Sequence, residues 1–421
     1  MVKIKKIFAY EIIDSRGFPT IEARLTLDNG QEVMTSVPAG TSVGKYEVHE
    51  LRDNEVGRFE GMGVKQAVKL INDGFGPKLS GVDPLRQKDI DDWLVKANDS
   101  NGGRIGANTI LTISQLAMRA GAISKNLPLF KYVNLVFKNL FKLETKIQKI
   151  PTPIFNLING GKHANNNLDI QEFQLIPSSR FAFSKAYELG VELFYEIKKV
   201  LEYRNANISV GEEGGFAPNL STNLDALEIL TEAISQKNLK PGLDVFLGMD
   251  MASSHYYKDQ RYVIRDRPQA LTKNEYIDFV LKLLKDYSFL TLEDPLDEDD
   301  FDGWAKLNKQ ISKNIYLIGD DLLVTNKERL QTAIKDEACN AILIKPNQIG
   351  TITQTLDVVN VARQNDFICV VSHRSGETND DFIADFAVGI QAEFVKFGAP
   401  SRGERVAKYN RLWQIEREEM K

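Results

Sequence analysis

Apolar and polar residues alternate through the first 37 positions: KIFAYEII, TIEARLTL and QEVMTSV each read with a period near two, as strands do. Between the second and third, Asp28-Asn29-Gly30 is a hairpin signal, because Asn and Gly tolerate positive φ. A three-stranded antiparallel meander is predicted. From about Gly63 to Val133 the spacing becomes helical, with Ile110, Ile113, Leu116 and Ala117 on one face after Gly106. Strands followed by helices indicate an α+β domain. The charged stretch KLETKIQKIP ahead of the proline pair in PTP predicts its end, giving a first domain at 1–141 and a second at 142–421.

Beyond that boundary the pattern becomes a repeat in which a short apolar strand ends on an ionisable residue and an amphipathic helix follows. DVFLGMD ends at Asp250, FLTLED at Glu293 and Asp294, and IYLIGDD at Asp320 and Asp321; AILIKP carries Lys345, FICVVSHR ends at His373 and Arg374, and FVKFG contains Lys396. From Glu293 onward these positions recur every 23 to 28 residues or so, about one strand, one helix and two loops. With PIFNLI and EFQLIP, eight strands are predicted. A closed barrel is the simplest way to bury both faces of so many short parallel strands. The carboxyl ends of barrel strands share one rim, so these charges would converge there. Any one of them reads equally well as a solvated loop residue; joint placement at so many strand ends does not.

Composition narrows the chemistry. The 421 residues, 43% hydrophobic, 26% charged and 9% aromatic, are ordinary for a globular chain, and 53 Lys plus Arg against 58 Asp plus Glu leaves −5. That charge denies the basic field that nucleic-acid binding requires. Cys339 and Cys369 make neither a disulfide framework nor a thiolate metal site and read as small buried residues of a reducing compartment. No apolar run approaches a membrane span or a secretory signal, so a cytoplasmic protein is expected.

Three carboxylates at consecutive strand ends, Asp250, Glu293 and Asp320, form an oxygen-only site suited to a hard cation, Mg²⁺ before Ca²⁺. Lys345, Arg374 and Lys396 supply positive charge on the opposite arc. In VSHRSGET the Arg374 fork beside Ser372 and Ser375 suits a phosphorylated carboxylic acid. The loop VPAGTSVGKYE offers Ser42 between Gly40 and Gly44 as a second metal position on a lid, and NGGKHANNN, with His163, is a candidate second lid. Both also read as plain turns. Glu172 in IQEFQLIP is either a satisfied core group or a functional one. In GEEGGFAPN, Glu212 and Glu213 precede glycines that would let the backbone approach a ligand. A carboxyl acting as general acid must hold its proton near neutral pH, which burial beside other carboxylates achieves.

These segments carry a resemblance. DSRGFPTIE, VPAGTSVGKYE, NGGKHANNNLDIQEF, GEEGGFAPN, LEDPLDEDD, GDDLLVTN, LIKPNQIGT, VSHRSGETND and KFGAPSRGERVAKYN, in that order, resemble the enolase family along essentially the whole chain. The resemblance implies reversible dehydration of 2-phospho-D-glycerate to phosphoenolpyruvate with two Mg²⁺ ions. It also implies an α/β fold: a modified TIM-type barrel that opens ββαα before its βα units, with an N-terminal α+β capping domain. By motif, Lys345 corresponds to the base that takes the C2 proton and Glu213 to the acid that protonates the C3 hydroxyl. Asp250, Glu293 and Asp320 correspond to the ligands of the first Mg²⁺ and Ser42 to that of the second. Arg374 and Ser375 match the phosphate clamp, with His373 beside them, Lys396 the contact to substrate carboxylate, and His163, Glu172 and Gln171 the supporting polar network.

The chain departs from the family pattern in places: AGTSVG stands for SGASTG in the lid, Glu212 for Asp, Phe18 for Asn, His255 for Glu and Phe397 for Thr. A homodimer or octamer is expected, although Gln414 stands where an Arg usually meets the equivalent of Glu22. Two other readings stay open. One is a superfamily lyase or racemase acting on an unphosphorylated acid, which the Arg374–Ser375 pair disfavours. The other is a binding role at the cell surface, with terminal Lys421 offered to a plasminogen-like lysine-binding domain.

Overall fold

The computed structural model describes residues 2–40, 45–144 and 146–419, the last by its backbone alone. Ser42 and Lys421 lie outside the described residues. The chain divides into two compact units: Met1–Lys149 with Ile344–Asn360 and His373–Ala392, and Ile150–Leu343 with Val361–Ser372 and Glu393–Lys421.

In the smaller unit β1 (Ile4–Ile13), β2 (Pro19–Leu27) and β3 (Glu32–Ser36) form the meander that the alternation predicts, antiparallel and in chain order. Gly30, at φ +87°, closes its hairpin by donating to the Leu27 carbonyl. Helices α1 (Gln87–Ser100), α2 (Ala107–Ser124) and α3 (Leu129–Phe141) follow. α2 touches β2 and β3 as well as α1 and α3, which is why almost every one of its residues is buried.

The larger unit is a closed barrel. Its strands β4 (Thr152–Asn159), β5 (Glu172–Pro177), β6 (Val245–Asp250), β7 (Phe289–Glu293), β8 (Tyr316–Gly319), β9 (Ala341–Ile344), β10 (Ile368–Ser372) and β11 (Phe394–Lys396) run round it in chain order, and β11 closes on β4. β5 is antiparallel to both neighbours. This corrects the reading of eight uniform parallel units, because only a loop joins β4 to β5, and a parallel return needs a crossover. α4 (Phe183–Tyr203) and α5 (Asn223–Gln236) come next, completing the ββαα opening. Each later strand is followed by a helix: α6 (Lys273–Asp286), α7 (Phe301–Asn308), α8 (Lys327–Asp336), α9 (Ile352–Gln364), α10 (Phe382–Gly389) and α11 (Gly403–Glu419). Among the described residues no helix is long and apolar enough to cross a membrane.

Ile154, Ile176, Ile318, Ala341, Leu343, Val370 and Phe394 fill the barrel. Side chains on a strand alternate, so Asp320 and Lys396, two residues beyond Ile318 and Phe394, share their inward face one layer up. The segments after β9 and β10 have their own attachments in the smaller unit. Asn134 Nδ2 of α3 donates to the Gly389 carbonyl of α10 at 2.8 Å, and a Cβ on Gly389 would lie 2.6 Å from Val133.

Gly190 of α4 faces the ring of Phe155, where a Cβ would come within 2.2 Å of Cε2. Helix propensity alone would make Gly190→Ala stabilising by about 1 kcal/mol, whereas overpacking a tight core costs about 1–3 kcal/mol. We expect the second effect to win, so that thermal denaturation of Gly190→Ala shows a Tm several degrees lower.

Candidate functional site

Strand register builds the acidic end of the barrel. Glu172 opens β5, Asp250 closes β6 and Glu293 closes β7; Glu172 pairs with Asp250, and Asp250 with Glu293. Because β5 runs against its neighbours, its first residue comes to this rim. Gly248 of β6 allows the strands to approach, since a Cβ there would lie 2.4 Å from Thr291 Oγ1. Lys396, at the end of β11 and 3% exposed, donates from Nζ to both carboxylate oxygens of Glu293 at 2.8 Å. The same nitrogen lies 3.2 Å from Glu172 and 3.6 Å from Asp250.

One lysine does not neutralise this cluster. Burial, with the charges of Glu172 and Asp320 adding to it, pushes Asp250 up to about 6 despite Lys396. Burial and the neighbouring Asp250 carry Glu293 well above the ordinary carboxylate range. At Glu172, burial raises the carboxyl, but Lys396 and His163 bring it below its usual value. Burial alone would lower Lys396; four surrounding carboxylates, Glu172 first, hold it well above a normal lysine.

Asp320 follows β8 and is set in place by a residue that sequence reading took only as a strand end. Asp294, at φ +41°, accepts the backbone N–H of Asp320 at 3.1 Å and of Asp321 at 2.7 Å. The signal was the doublets Glu293-Asp294 and Asp320-Asp321: one member of the first grips the backbone of the second. Oxygens of Asp250, Glu293 and Asp294 lie within 4.8 Å of one another, as do those of Asp294, Asp320 and Asp321. A buried donor set made only of carboxylate oxygens, holding more negative charge than its lysine offsets, fits a hard divalent cation such as Mg²⁺.

Beside this arc, His163 Nδ1 lies 3.3 Å from Glu172 and 3.6 Å from Glu213. Burial opposes its charge, but Glu213 and Glu172 outweigh burial and hold the imidazole up at about 9. Glu213, 2% exposed, accepts from Asn156 Nδ2 at 2.9 Å, and Gln171 Nε2 donates to Asp250 at 3.1 Å. Of the glycines after Glu213, Gly214 turns the chain at φ +87° under the Ser401 carbonyl, and Gly215 packs against β4, where a Cβ would meet Asn159 Oδ1 at 2.4 Å. The loop read as a second lid is fastened. Asn166 Nδ2 donates to the carbonyls of Asn159 and Pro218, and Asn167 accepts from the Leu220 N–H. His255, at the position where the family pattern has Glu, is lowered by burial and by Lys162 to about 4.

Lys345, His373, Arg374 and Ser375 belong to the smaller unit, directly after β9 and β10. Arg374, 5% exposed, forms a two-pronged pair with Glu47 at 3.0 and 3.2 Å and donates to Asn347 Oδ1 at 3.0 Å. Gln348 Nε2 braces the same Glu47 at 3.2 Å. Glu377 accepts the Arg374 N–H, and the Glu377 carbonyl accepts the N–H of Ser15. Gly376 bridges Ala39 in both directions, and a Cβ on it would sit 2.3 Å from Arg16 Nη2. The DSRG segment is therefore the seat of the loop carrying Arg374 and Ser375. Glu47, Asn347 and Gln348 lie inside the segments VPAGTSVGKYE and LIKPNQIGT, but nothing local marks their part in holding Arg374.

Comparison with known proteins divides the chain once along its length. The family model described as "Enolase, N-terminal domain" matches residues 4–133, and "Enolase, C-terminal TIM barrel domain" matches 147–421. The enolase of Ehrlichia canis (strain Jake) is 41% identical over 418 residues, covering 99% of this chain and 97% of that protein. That of Ehrlichia ruminantium (strain Welgevonden) is 41% identical over 417 residues, covering 99% and 96%.

A histidine held near 9 in the fold and near 6.5 when unfolded adds stability that is complete below about pH 6.5 and disappears as pH rises through 9. Replacing His163 by Gln should cost up to about 3 kcal/mol at pH 6 and little at pH 10. Urea midpoints of the two chelator-treated proteins across that range provide the measurement. A difference independent of pH would show the imidazole to be uncharged.

Proposed function

The chain belongs to the enolase family and is a hydro-lyase, a phosphopyruvate hydratase, and on that footing we propose how its residues divide the glycolytic dehydration of 2-phosphoglycerate to phosphoenolpyruvate. The observation that carries the reading is the buried arc of Glu172, Asp250 and Glu293 around Lys396, with Asp320 gripped by Asp294. Asp250, Glu293 and Asp320 hold one Mg²⁺, and Ser42 contributes to a second. Bound there, the ions supply fixed positive charge beside the substrate carboxylate as negative charge accumulates on it.

Lys345 takes the proton from C2, and must be unprotonated when it does. Glu213, positioned by Asn156 and facing His163, gives its proton to the departing C3 hydroxyl. Arg374 and Ser375 hold the phosphate, with His373 beside them; Lys396 contacts the carboxylate, and Gln171, Glu172 and His163 keep the polar network in register. Magnitudes rank these contributions. Removing a hydrogen next to a carboxylate adds a second charge to an anion, and one unit-charge pair at 4 Å is worth about 4 kcal/mol at an effective dielectric near 20. A positioned base contributes about 10²- to 10⁴-fold. Several fixed cations would therefore outweigh the base, and the chain itself provides Lys396 on the carboxylate side. The same reading carries assembly as a homodimer or octamer.

The roles of base and acid separate experimentally. Lys345→Ala should abolish exchange of the C2 hydrogen with D₂O and lower turnover by at least about 10²-fold. Glu213→Gln should retain exchange while losing elimination. Both are read by proton NMR of 2-phosphoglycerate and by absorbance of phosphoenolpyruvate, and equal loss of both processes in both variants would refute the division of labour. Chelation should remove activity, and added Mg²⁺ restore it.

A further inference from the structure

Lys345 is followed by only six residues before α9 begins at Ile352. That short tether is bonded throughout. The N–H of Gln348 returns to the Lys345 carbonyl at 3.0 Å, the N–H of Gly350 to that of Pro346 at 3.0 Å, and the Gln348 carbonyl accepts Val48 at 3.1 Å. Its far end is held by a buried polar cluster that the mechanism does not use. Asp91 of α1, 1% exposed, accepts the Thr353 N–H at 2.9 Å and its hydroxyl at 2.6 Å on the same oxygen. Gln87 Nε2 donates to both oxygens of Asp91 at 3.1 Å and to the Ser114 carbonyl at 3.0 Å, while Ser114 Oγ of α2 accepts the Ile352 N–H at 2.9 Å.

Capping alone does not account for this cluster. α9 has a local cap already, because Thr351 Oγ1 accepts the Gln354 N–H and donates to its side chain. What Asp91 adds is a carboxyl at the helix N-terminus, raised by burial against the bonds from Thr353 and Gln87 that favour its charge, and a fixed distance from α1 and α2 to a turn six residues downstream of the proposed base. The same tether carries Asn347 and Gln348, which hold Arg374 and Glu47.

We propose that Asp91, through Thr353, is a positioning residue for Lys345: it anchors the turn that ends the Lys345 loop and so fixes where the amine reaches. The inference rests on the reading of Lys345 as the base. Misplacing a reacting group by about 1 Å costs on the order of 10²-fold, so partial release of the anchor should cost less than deleting the amine.

The test uses the full-length enzyme with Mg²⁺ and 2-phosphoglycerate. Thr353→Val keeps the backbone bond and removes the 2.6 Å one. It should lower the urea midpoint, as loss of one buried hydrogen bond does. Without urea, where the variant is fully folded, it should lower C2 exchange and kcat together by about tenfold, with KM near that of the parent. Thr353→Ser should restore both rates. Asp91→Ala should lower them further. In a Lys345→Ala background, Thr353→Val should produce no additional loss, since a residue acting through Lys345 has nothing left to position. Unchanged exchange in both Thr353→Val and Asp91→Ala, with exchange abolished in Lys345→Ala, overturns the positioning role and leaves the base assignment standing. Losses that track the urea midpoint and persist in the Lys345→Ala background overturn it too, as merely structural. Exchange surviving in Lys345→Ala removes the base assignment, and this inference with it.

Discussion

Glu172, Asp250, Glu293 and Asp320 crowd one buried lysine, and the larger unit is organised around that imbalance. Taking a charge out of water costs several kcal/mol unless a partner and hydrogen bonds repay it. Lys396 repays part, donating to both carboxylate oxygens of Glu293 and standing close to Glu172 and Asp250. The remainder shows as Asp250 and Glu293 carried upward on the pKa scale. An apolar barrel floor of Ile154, Ile318, Leu343, Val370 and Phe394 sustains the arrangement from below. The same cluster is thus a local weakness of the fold and, in the proposed reading, the place where a divalent cation would bind, because any ion that relieves the repulsion favours the folded chain over the unfolded one.

Strand ends were the most legible feature of the sequence. Asp250, Glu293 and Lys396 close their strands, and Asp320, Lys345 and His373 follow theirs at once, as the recurring spacing predicts. Glu172 was harder. In a parallel unit its position at the start of a strand would put it at the opposite rim, and only the antiparallel course of β5 brings it beside Asp250. Periodicity does not report strand direction, so the pattern singles the residue out in IQEFQLIP without saying which rim it reaches. Asp294 and Glu47 were missed for a different reason: their work is done on a backbone 26 residues away and on an arginine 327 residues away, and hydrogen bonds of that range leave no local trace.

The smaller unit extends the point. A boundary drawn from composition assigns everything after 141 to the barrel. The segments 344–360 and 373–392 instead find their partners in the smaller unit: Asp91 and Ser114 for the start of α9, Val133 and Asn134 for Gly389, Ser15 and Ala39 for the loop around Gly376. Barrel strands deliver Lys345 and Arg374, but residues from the N-terminal third decide how their loops are held. The DSRG segment makes sense in this light: Asp14 and Arg16 pair at 3.1 Å, and Arg16 reaches the Ala39 carbonyl, which keeps the ledge under Gly376 rigid.

The Arg374–Glu47 pair bears on selectivity. A lone buried guanidinium is costly, so holding it on Glu47 and Asn347 keeps the fork charged and oriented in the absence of substrate. In the proposed reading a substrate phosphate must take over or share donors that Glu47 already uses. Exchange of one charge-assisted pair for another yields a modest net gain for the phosphorylated acid. An acid with a neutral hydroxyl in place of phosphate brings no charge to the Arg374 fork, so the pair with Glu47 stays closed and the ligand gains nothing from it. In the proposed reading, discrimination therefore comes from the charge that a phosphate brings to a fork already oriented by Glu47 and Asn347.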